Sequence, residues 1–237
     1  MKVDQTLKQW IAVVPARSGS KGIKDKNCQS IKNRTLIQWA VDSALHLGFL
    51  SEQIFVASDC KSYQSCFSRA SFLLRNKNDS GDGDGLDRLL INILPEILKR
   101  SPSSKNLLLL LPTQPFRNNE TVRAAIDEFG KVGAKALISV KQIDRTENTI
   151  FSRSEDNTQL FPLSGRWVRS EQRQCIDPLF TPCGCFYLYS ISDFLVNKSL
   201  MIEGMISVQT SFPENLDIDS PHDLEVARCI CEKFKFA

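Results

Sequence analysis

The sequence has few residues of the kinds that usually bind structural metals. Its 237 residues include only two histidines, His46 and His222, and none of its eight cysteines belongs to a C-x-x-C pair. A structural zinc site needs about four converging Cys or His ligands, usually from such closely spaced pairs. The sequence therefore predicts no structural metal site, and we expect the cysteines to be reduced, as is usual inside cells.

Long apolar runs and an excess of one charge are also missing. The run from Leu107 to Leu111 is far shorter than the ~20 residues that cross a membrane, and residues 1–5 lack the pattern of a signal peptide. Thirty basic and 27 acidic residues give a formal net charge of +3, without the clustered basic stripe of nucleic-acid-binding proteins. We therefore expect a cytoplasmic protein that binds small anions rather than membranes or nucleic acids.

Apolar strand patterns alternate with helical patterns along most of the chain. Because each crossover between parallel strands must return over the sheet, this alternation predicts an α/β fold whose mainly parallel sheet is covered on both faces. We expect one domain spanning residues 1–237. The predicted strands are 10–14, 54–57, 72–74, 107–111, 136–140, 185–189 and 205–208, and the predicted helices are 36–45, 86–99, 119–131 and one from Pro221.

One segment, about 144–183, interrupts this alternation. It is polar, rich in arginine and poor in periodic apolar residues. Such a segment adds little to the core of its own domain. We expect an insertion that packs on something else, such as a second subunit.

The loop after the first predicted strand is rich in glycine and in basic residues. It spans residues 16–27, and its basic side chains are Arg17, Lys21, Lys24 and Lys26. Glycine lets a backbone approach a ligand closely and turn N–H groups toward it, so the loop suits a polyphosphate. It is neither a Walker A loop nor the G-x-G-x-x-G turn of dinucleotide-binding folds. A solvated basic loop without a ligand is the alternative.

Two aspartates, Asp217 and Asp219, lie two residues apart before the last predicted helix. In an extended segment their carboxylates point to the same side and can share a hard cation. Magnesium accepts one or two carboxylates together with water and phosphate oxygens, which fits this pair. The alternative is that they only cap the helix, but Ser220 is the better N-cap, with Pro221 at the first helical position.

Five segments of the chain, in this order, carry a further signal: VVPARSGSKGI (13–23) followed by Lys26-Asn27, FVASD (55–59), Leu74-Arg75, LPTQPFR (111–117) and DIDSPHDL (217–224). Together they cover most of the chain. These collinear segments resemble one enzyme family, the acylneuraminate cytidylyltransferases or CMP-sialic acid synthetases.

This resemblance implies a three-layer, Rossmann-like nucleotidyltransferase that forms a homodimer through its insertion. In such an enzyme the anomeric hydroxyl of an acidic nine-carbon sugar attacks the α-phosphorus of CTP and pyrophosphate leaves. The protein must hold two anions together and neutralise the spreading charge, with Mg²⁺ as cofactor.

The resemblance also implies a role for each matching residue. Catalysis falls to Arg17, Lys21, Asp217 and Asp219, and the two aspartates bind the metal. The nucleotide contacts are Ala16, Arg17, Ser20, Gly22, Lys26, Asn27 and Arg75. The sugar contacts are Thr113, Gln114 and, within the insertion, Arg173, whose guanidinium can grip a carboxylate at two points.

The chain departs from the family pattern on the sugar side. Leu111 stands where the family usually has Gln, Gln114 replaces Ser, Thr181 replaces Arg and Cys183 replaces Asn. The triphosphate loop keeps the pattern, which implies the same reaction with an altered acceptor. N-acetylneuraminic, legionaminic, pseudaminic and related acids stay open as acceptors.

Other functions also stay open at this point. Within the same class, the chain could activate the eight-carbon acid Kdo, or it could use another nucleoside triphosphate. In a different class, it could be a nucleotide-binding protein without catalysis. The presence of both the basic loop and the aspartate pair argues against the last.

Overall fold

The computed structural model describes residues 5–75, 85–143, 149–156, 159–167 and 178–233. The strands are β1 (Trp10–Pro15), β2 (Ser30–Ile31), β3 (Arg34–Thr35), β4 (Ile54–Ser58), β5 (Ser71–Leu74), β6 (Asn106–Leu109), β7 (Ala136–Ile143), β8 (Phe151–Arg153), β9 (Leu160–Pro162), β10 (Leu179–Ser190) and β11 (Ile206–Gln209). The α-helices are α1 (Leu36–Leu47), α2 (Leu86–Arg100), α3 (Asn119–Val132), α4 (Ile191–Asn197) and α5 (Pro221–Lys233).

Seven strands form the central sheet in the order β11-β7-β10-β6-β1-β4-β5. All neighbouring pairs are parallel except those of β10, which runs antiparallel to both β6 and β7. Every residue of β1 and β4 is buried, as the continuous apolar runs of these strands predict for strands covered on both faces. The predicted mainly parallel sheet is confirmed.

Helices cover both faces of this sheet, which gives the predicted three-layer architecture. On one face α1 and α3 pack on Trp10, Val14 and Leu108, and on the other α2 and α4 pack on Val13 and Leu109. The alternation of neighbouring strand residues between the two clusters follows from the period of two in a β-strand. A third cluster joins α5 to the small hairpin of β2 and β3.

The first crossover helix, α1, begins at the predicted residue and ends at Leu47, two residues beyond the predicted 36–45. Thr35 is the N-cap, and its Oγ1 accepts a hydrogen bond of 3.0 Å from the backbone N–H of Gln38. Gly48 closes the helix with φ of 100°, a left-handed conformation that glycine adopts without steric cost.

The strand predicted at 185–189 begins earlier than expected. Strand β10 starts at Leu179, and residues 179–182 pair with β7. Burial alternates along this first part of β10 and becomes continuous only from Cys183. The first part therefore carries no continuous apolar signal. Within the insertion, β8 and β9 form an antiparallel hairpin.

The expectation that the cysteines are reduced is wrong for one pair, because Cys28 and Cys66 form a disulfide. Cys28 ends the short 3-10 helix Lys26–Cys28 next to the basic loop, and Cys66 ends the 3-10 helix Lys61–Cys66. The two residues are 38 positions apart, a spacing that matches no local motif. The fold brings them together, which sequence spacing could not reveal.

Among the described residues, no helix combines the length and apolarity that crossing a membrane requires.

The disulfide is expected to stabilise the fold. Because it closes a loop of 38 residues, Cys66→Ser should lower the free energy of unfolding by about 4 kcal/mol through the greater entropy of the unfolded chain. Urea unfolding under non-reducing conditions measures this value. Cys229→Ser, at an exposed free thiol, is the matched control and should leave it unchanged. Equal stability of Cys66→Ser and wild type would contradict the bond.

Candidate active site

A cavity of about 440 Å³ opens beyond the carboxyl ends of β1, β5 and β6. Ligands of parallel α/β sheets bind at this edge. Nine of the predicted site residues line the cavity: Arg17, Ser20, Lys21, Gly22, Lys26, Asn27, Arg75, Thr113 and Asp219. Segments that are far apart in the sequence therefore meet at one place.

The basic loop is held in shape by its own hydrogen bonds and by β4. Asn27 is buried and its Nδ2 donates to the carbonyl oxygen of Arg17 over 2.9 Å. Ser18 donates twice to the carboxylate of Asp59, from its backbone N over 2.8 Å and from its Oγ over 2.6 Å. Asp59 follows β4 directly, so the loop is tied to the neighbouring strand of the sheet.

Asp59 also places Arg75, which follows β5. The Nη2 atom of Arg75 lies 3.7 Å from Oδ1 of Asp59. Burial acts to raise the pKa of Asp59, but the hydrogen bonds from Ser18 and from its own backbone, with the charge of Arg75, outweigh it and hold the pKa below its ordinary value. Asp59 is therefore ionised at neutral pH. The ionised carboxylate contributes fully to the stability of the fold above the ordinary pKa of an aspartate. This contribution is lost as the pH falls through the lowered pKa of Asp59.

The segment of the two aspartates closes against the basic loop. Nζ of Lys26 lies 2.7 Å from Oδ1 of Asp219. Gly22 packs on the same residue, because a Cβ at this position would lie only 2.4 Å from the carbonyl oxygen of Asp219. Ile23 and Ile218 are buried in one apolar cluster beneath them. The loop and the aspartate segment thus form one wall of the cavity.

The burial pattern explains the direction of the two carboxylates. Ile218 is fully buried, whereas Asp217 and Asp219 on either side of it are exposed. Because successive side chains of an extended segment point to opposite sides, both carboxylates project away from the core, as predicted. The backbone N–H of Ile218 donates to the carbonyl oxygen of Thr113 over 3.0 Å, which ties this segment to the loop after β6.

Asp217 lies beside the cavity but is not one of the residues that line it. Desolvation raises the pKa of Asp217, and the charge of Asp219 raises it further, while a hydrogen bond from Thr113 and the charges of Lys26 and Lys141 oppose the rise. The net pKa is above its ordinary value. A cation placed between the two aspartates would relieve their mutual repulsion.

The helix-capping role belongs to other residues. Oγ of Ser220 accepts from the backbone N of Asp223 over 3.3 Å, and Oδ2 of Asp223 accepts from the backbone N of Ser220 over 2.7 Å. This reciprocal pair caps α5, so the alternative that Asp217 and Asp219 only cap the helix does not hold.

The donor set of the aspartate pair fits magnesium better than zinc. The side chain of Asp219 is 74% exposed, so a carboxylate oxygen beyond its ion pair is open to a ligand. No group of three or more His, Cys, Asp or Glu side chains that could hold a metal occurs in the described parts of the chain. Two carboxylates with water and phosphate oxygens are a set that Mg²⁺ accepts.

Two of the predicted site residues, Ala16 and Gln114, are fully buried and do not line the cavity. Ala16 is fully buried, and its backbone N–H donates to Ala57 over 2.9 Å instead of facing a ligand. Gln114 is also fully buried, and its Nε2 donates to the carbonyl oxygen of Cys183 over 2.5 Å. The amide nitrogen thus bridges β10 to the loop after β6, whereas Oε1 of Gln114 is buried without a hydrogen-bond partner. The sugar contact of Gln114 stays a prediction. Arg173 lies outside the described residues.

The sequence patterns missed five residues around the site. Ser18 and Asp59 shape the loop, and Lys141 acts electrostatically on Asp217. Leu86 and Leu89 of α2 line the cavity. Only Asp59 had a usable signal, since it directly follows a buried parallel strand. The others depend on contacts between distant segments.

A basic, glycine-containing loop after the first strand of a mainly parallel sheet, with a carboxylate pair closing against it, defines a Rossmann-like nucleotide-binding protein. A family model described as cytidylyltransferase matches residues 11–155. The chain belongs to this cytidylyltransferase family.

Curated relatives are similar over nearly the whole chain. An N-acylneuraminate cytidylyltransferase of Streptococcus agalactiae is 24% identical over 90% of this chain and 51% of its own length. This chain therefore spans about half of that relative. A CMP-N,N'-diacetyllegionaminic acid synthase of Legionella pneumophila is 28% identical over 94% of this chain and 96% of its own length. A pseudaminic acid cytidylyltransferase of Campylobacter jejuni is 24% identical, with coverages of 93% and 95%.

Solved structures share the fold at low sequence identity. A CMP:2-keto-3-deoxy-manno-octonic acid synthetase complexed with CTP has a TM-score of 0.67 and 15% identity, covering 95% of this chain and 99% of its own. A 4-diphosphocytidyl-2C-methyl-D-erythritol synthase from Anaerococcus prevotii has a TM-score of 0.63 and 13% identity, covering 97% and 99%. These likenesses show that the chain has a Rossmann-like α/β fold.

Gly22→Ala tests the packing of the loop on the aspartate segment. The added Cβ would lie 2.4 Å from a backbone oxygen, so one segment must move, and overpacking of this kind costs about 1–3 kcal/mol. We expect the free energy of unfolding to fall by that amount. Gly130→Ala is the matched control, because its Cβ meets nothing within 4 Å. The control should be neutral or stabilise α3 by up to ~1 kcal/mol, and equal behaviour of the two variants would contradict the contact.

Proposed function

We propose that this chain transfers CMP from CTP to the anomeric hydroxyl of a sialic-acid-like, nine-carbon 2-keto acid. The observation that carries this proposal is the joining of the basic loop and the aspartate pair at one cavity, through Lys26 and Asp219 at 2.7 Å. The family assignment and the relatives named for acidic nine-carbon sugars support it.

In the proposed reaction, the anomeric oxygen forms a bond to the α-phosphorus of CTP and the bond to the pyrophosphate leaving group breaks. The hydroxyl loses its proton, and the products are a CMP-sugar and pyrophosphate. The protein has to hold two anions in line and stabilise the charge that develops on the phosphate oxygens.

The side chains of the basic loop suit the binding of the triphosphate of CTP. Arg17, Lys21 and Lys26 supply positive charge at one end of the cavity. Ser18 and Asp59 hold the loop backbone in place before the nucleotide arrives, so little ordering is needed on binding. Arg75, held beside Asp59, is positioned to contact the nucleoside part of CTP.

Asp217 and Asp219 would hold Mg²⁺, which when bound neutralises charge on the phosphate oxygens. Thr113 orients Asp217 through its hydrogen bond, and Lys26 orients Asp219. The exposed carboxylate of Asp219 leaves room for water and phosphate ligands.

The test of the proposed function is pyrophosphate release from CTP with a panel of 3-deoxy-2-keto acids, with and without Mg²⁺. Release with a nine-carbon acid, dependent on the metal, is the expected result. Release of pyrophosphate only with the eight-carbon acid would mean that this acid, and not a nine-carbon acid, is the acceptor. Binding of CTP without turnover of any acceptor would identify a nucleotide-binding protein without catalysis.

Asp219→Ala should separate catalysis from binding. The substitution removes a proposed metal ligand but also releases Lys26 from its 2.7 Å ion pair, so positive charge remains for the triphosphate. We expect kcat to fall by about 100-fold or more, since a metal supplies several kcal/mol of transition-state stabilisation. The Kd of CTP, measured by titration calorimetry without Mg²⁺, should change little.

Asp127→Ala is the control for this experiment, because Asp127 is an exposed aspartate of α3. It should leave both kcat and Kd unchanged. An Asp219→Ala variant with the turnover of wild type would remove Asp219 from the metal site.

We further propose that the chain forms a homodimer through the β8–β9 hairpin. This hairpin and the residues after it expose large apolar side chains, with Phe161 49%, Leu163 65% and Trp167 74% exposed. The rings of Phe151 and Trp167 lie 5.7 Å apart, so the apolar surface is continuous there. An exposed apolar cluster of this size is typical of a protein interface. The cytoplasmic location expected from the sequence stays a prediction.

Loss of the apolar side chains should shift the oligomeric state. Phe161→Ser combined with Leu163→Ser is expected to convert a dimer to a monomer, as measured by sedimentation velocity. Val196→Ser removes a still more exposed apolar side chain, 81% exposed on α4, and should leave the dimer intact. A wild-type protein that sediments as a monomer would contradict the proposed interface.

A further inference from the structure

Two short 3-10 helices are joined by the disulfide. The first, Lys26–Cys28, is here called the site helix, because its residues Lys26 and Asn27 line the cavity. The second, Lys61–Cys66, is here called the anchor helix. The disulfide connects the last residues of the two helices, so a covalent constraint acts directly after Asn27.

The anchor helix also holds the beginning of the site helix. Tyr63 is buried, and its hydroxyl donates to Oδ1 of Asp25 over 3.1 Å. Asp25 is the N-cap of the site helix and has φ of 48°, a left-handed conformation that costs energy in residues other than glycine. Its carbonyl oxygen accepts a hydrogen bond of 2.8 Å from the backbone N of Cys28. The anchor helix therefore fixes both ends of the segment 25–28.

The anchor helix is itself attached to the core of the fold. The carbonyl oxygen of Cys66 accepts a hydrogen bond from Oγ1 of Thr35, the N-cap of α1. The backbone N of Cys60, the N-cap of the anchor helix, donates to Oγ of Ser58 at the end of β4 over 3.1 Å. The disulfide thus fixes the site helix relative to the central sheet and to α1.

The position of the site helix decides where two groups of the cavity wall lie. Lys26 forms the ion pair with Asp219, and Asn27 holds the carbonyl oxygen of Arg17. Without the disulfide, the hydrogen bond to the exposed side chain of Asp25 is a weaker constraint, because water competes for it. The site helix then samples more conformations, and the binding of a triphosphate has to order it again, which lowers affinity.

The disulfide is within reach of a small thiol. Cys28 and Cys66 are only half-buried. Disulfides that are exposed to solvent are reduced more readily than buried ones and are often regulatory. In a reducing compartment such bonds are usually transient, catalytic or redox-sensing.

We propose that the Cys28–Cys66 bond is a redox switch of the nucleotide site. The oxidised form holds the site helix in the conformation that binds a nucleoside triphosphate, and reduction lowers the affinity for it. This inference goes beyond the proposed function and rests on it in one respect, namely that the cavity binds CTP.

The reductant is a dithiol, and the step is thiol–disulfide exchange. A thiolate of the reductant attacks one sulfur of the bond, which forms a mixed disulfide and releases the other cysteine as a thiolate. The second thiol of the reductant then attacks the mixed disulfide and releases the remaining cysteine. The protein gains two electrons and two protons, and the dithiol becomes a disulfide.

The experiment compares the Kd of CTP for the oxidised chain and for the chain reduced by dithiothreitol, measured by equilibrium dialysis without an acceptor. We expect reduction to raise the Kd by about ten-fold, since Lys26 and Asn27 have to be ordered again on binding. Reoxidation with glutathione disulfide should restore the original Kd. Amide hydrogen exchange should become faster on reduction in residues 25–28 and 61–66, but not in β1 and β4.

Cys28→Ser combined with Cys66→Ser fixes the reduced state. The Kd of this double variant should equal that of the reduced wild type and should not respond to dithiothreitol. Should the double variant fail to fold, Cys66→Ser alone opens the same bond. Cys60→Ser is the matched control, because it removes a free thiol at the N-cap of the anchor helix and leaves the disulfide intact. It should respond to dithiothreitol as wild type does.

Three results would overturn the inference. The first is an equal Kd for the oxidised and reduced chains, and the second is a response to dithiothreitol that persists in the double variant. The third is loss of the far-UV circular dichroism on reduction, since the whole chain would then unfold instead of the site helix alone being released. If the oxidised chain binds no CTP, the proposed function fails as well, a result distinct from CTP binding that is insensitive to reduction.

Discussion

The contact between the basic loop and Asp219 is the interaction on which the proposed site depends. Lys26 and Asp219 are 193 positions apart in the sequence, and their charged atoms lie 2.7 Å apart in the fold. Gly22 packs on the backbone of the same aspartate, and Ile23 and Ile218 share a buried cluster beneath it. Charge, backbone packing and apolar burial therefore act together to close one wall of the cavity. Without this closure, the cations and the carboxylates would be two separate surface features.

The other residues of the site lie on two sides of this contact and have different roles. On the β4–β5 side, Asp59 anchors Ser18 and Arg75, which prepares the loop for a nucleotide. On the β6–β10 side, Thr113 ties the aspartates to the sheet, while Leu111 gives this side an apolar wall.

The sequence predicted those features whose signals are local. The buried strands β1 and β4, the start of α1 and the direction of Asp217 and Asp219 all follow from the spacing of a few neighbouring residues. The features it missed depend on contacts between distant segments. The Cys28–Cys66 bond, the burial of Gln114 against Cys183 and the early start of β10 each have a partner supplied by the fold. Hydrophobic periodicity carries no information about such partners.

Amide hydrogen exchange with and without CTP and Mg²⁺ tests the central claim most directly. If the basic loop and the aspartate segment bind the same nucleotide, CTP with Mg²⁺ should slow amide exchange in both residues 16–27 and residues 217–219. The protection of the two segments should depend on CTP concentration in the same way. Exchange in the β8–β9 hairpin should not change. Protection of only one of the two segments, or protection of the two at different CTP concentrations, would contradict a single shared site.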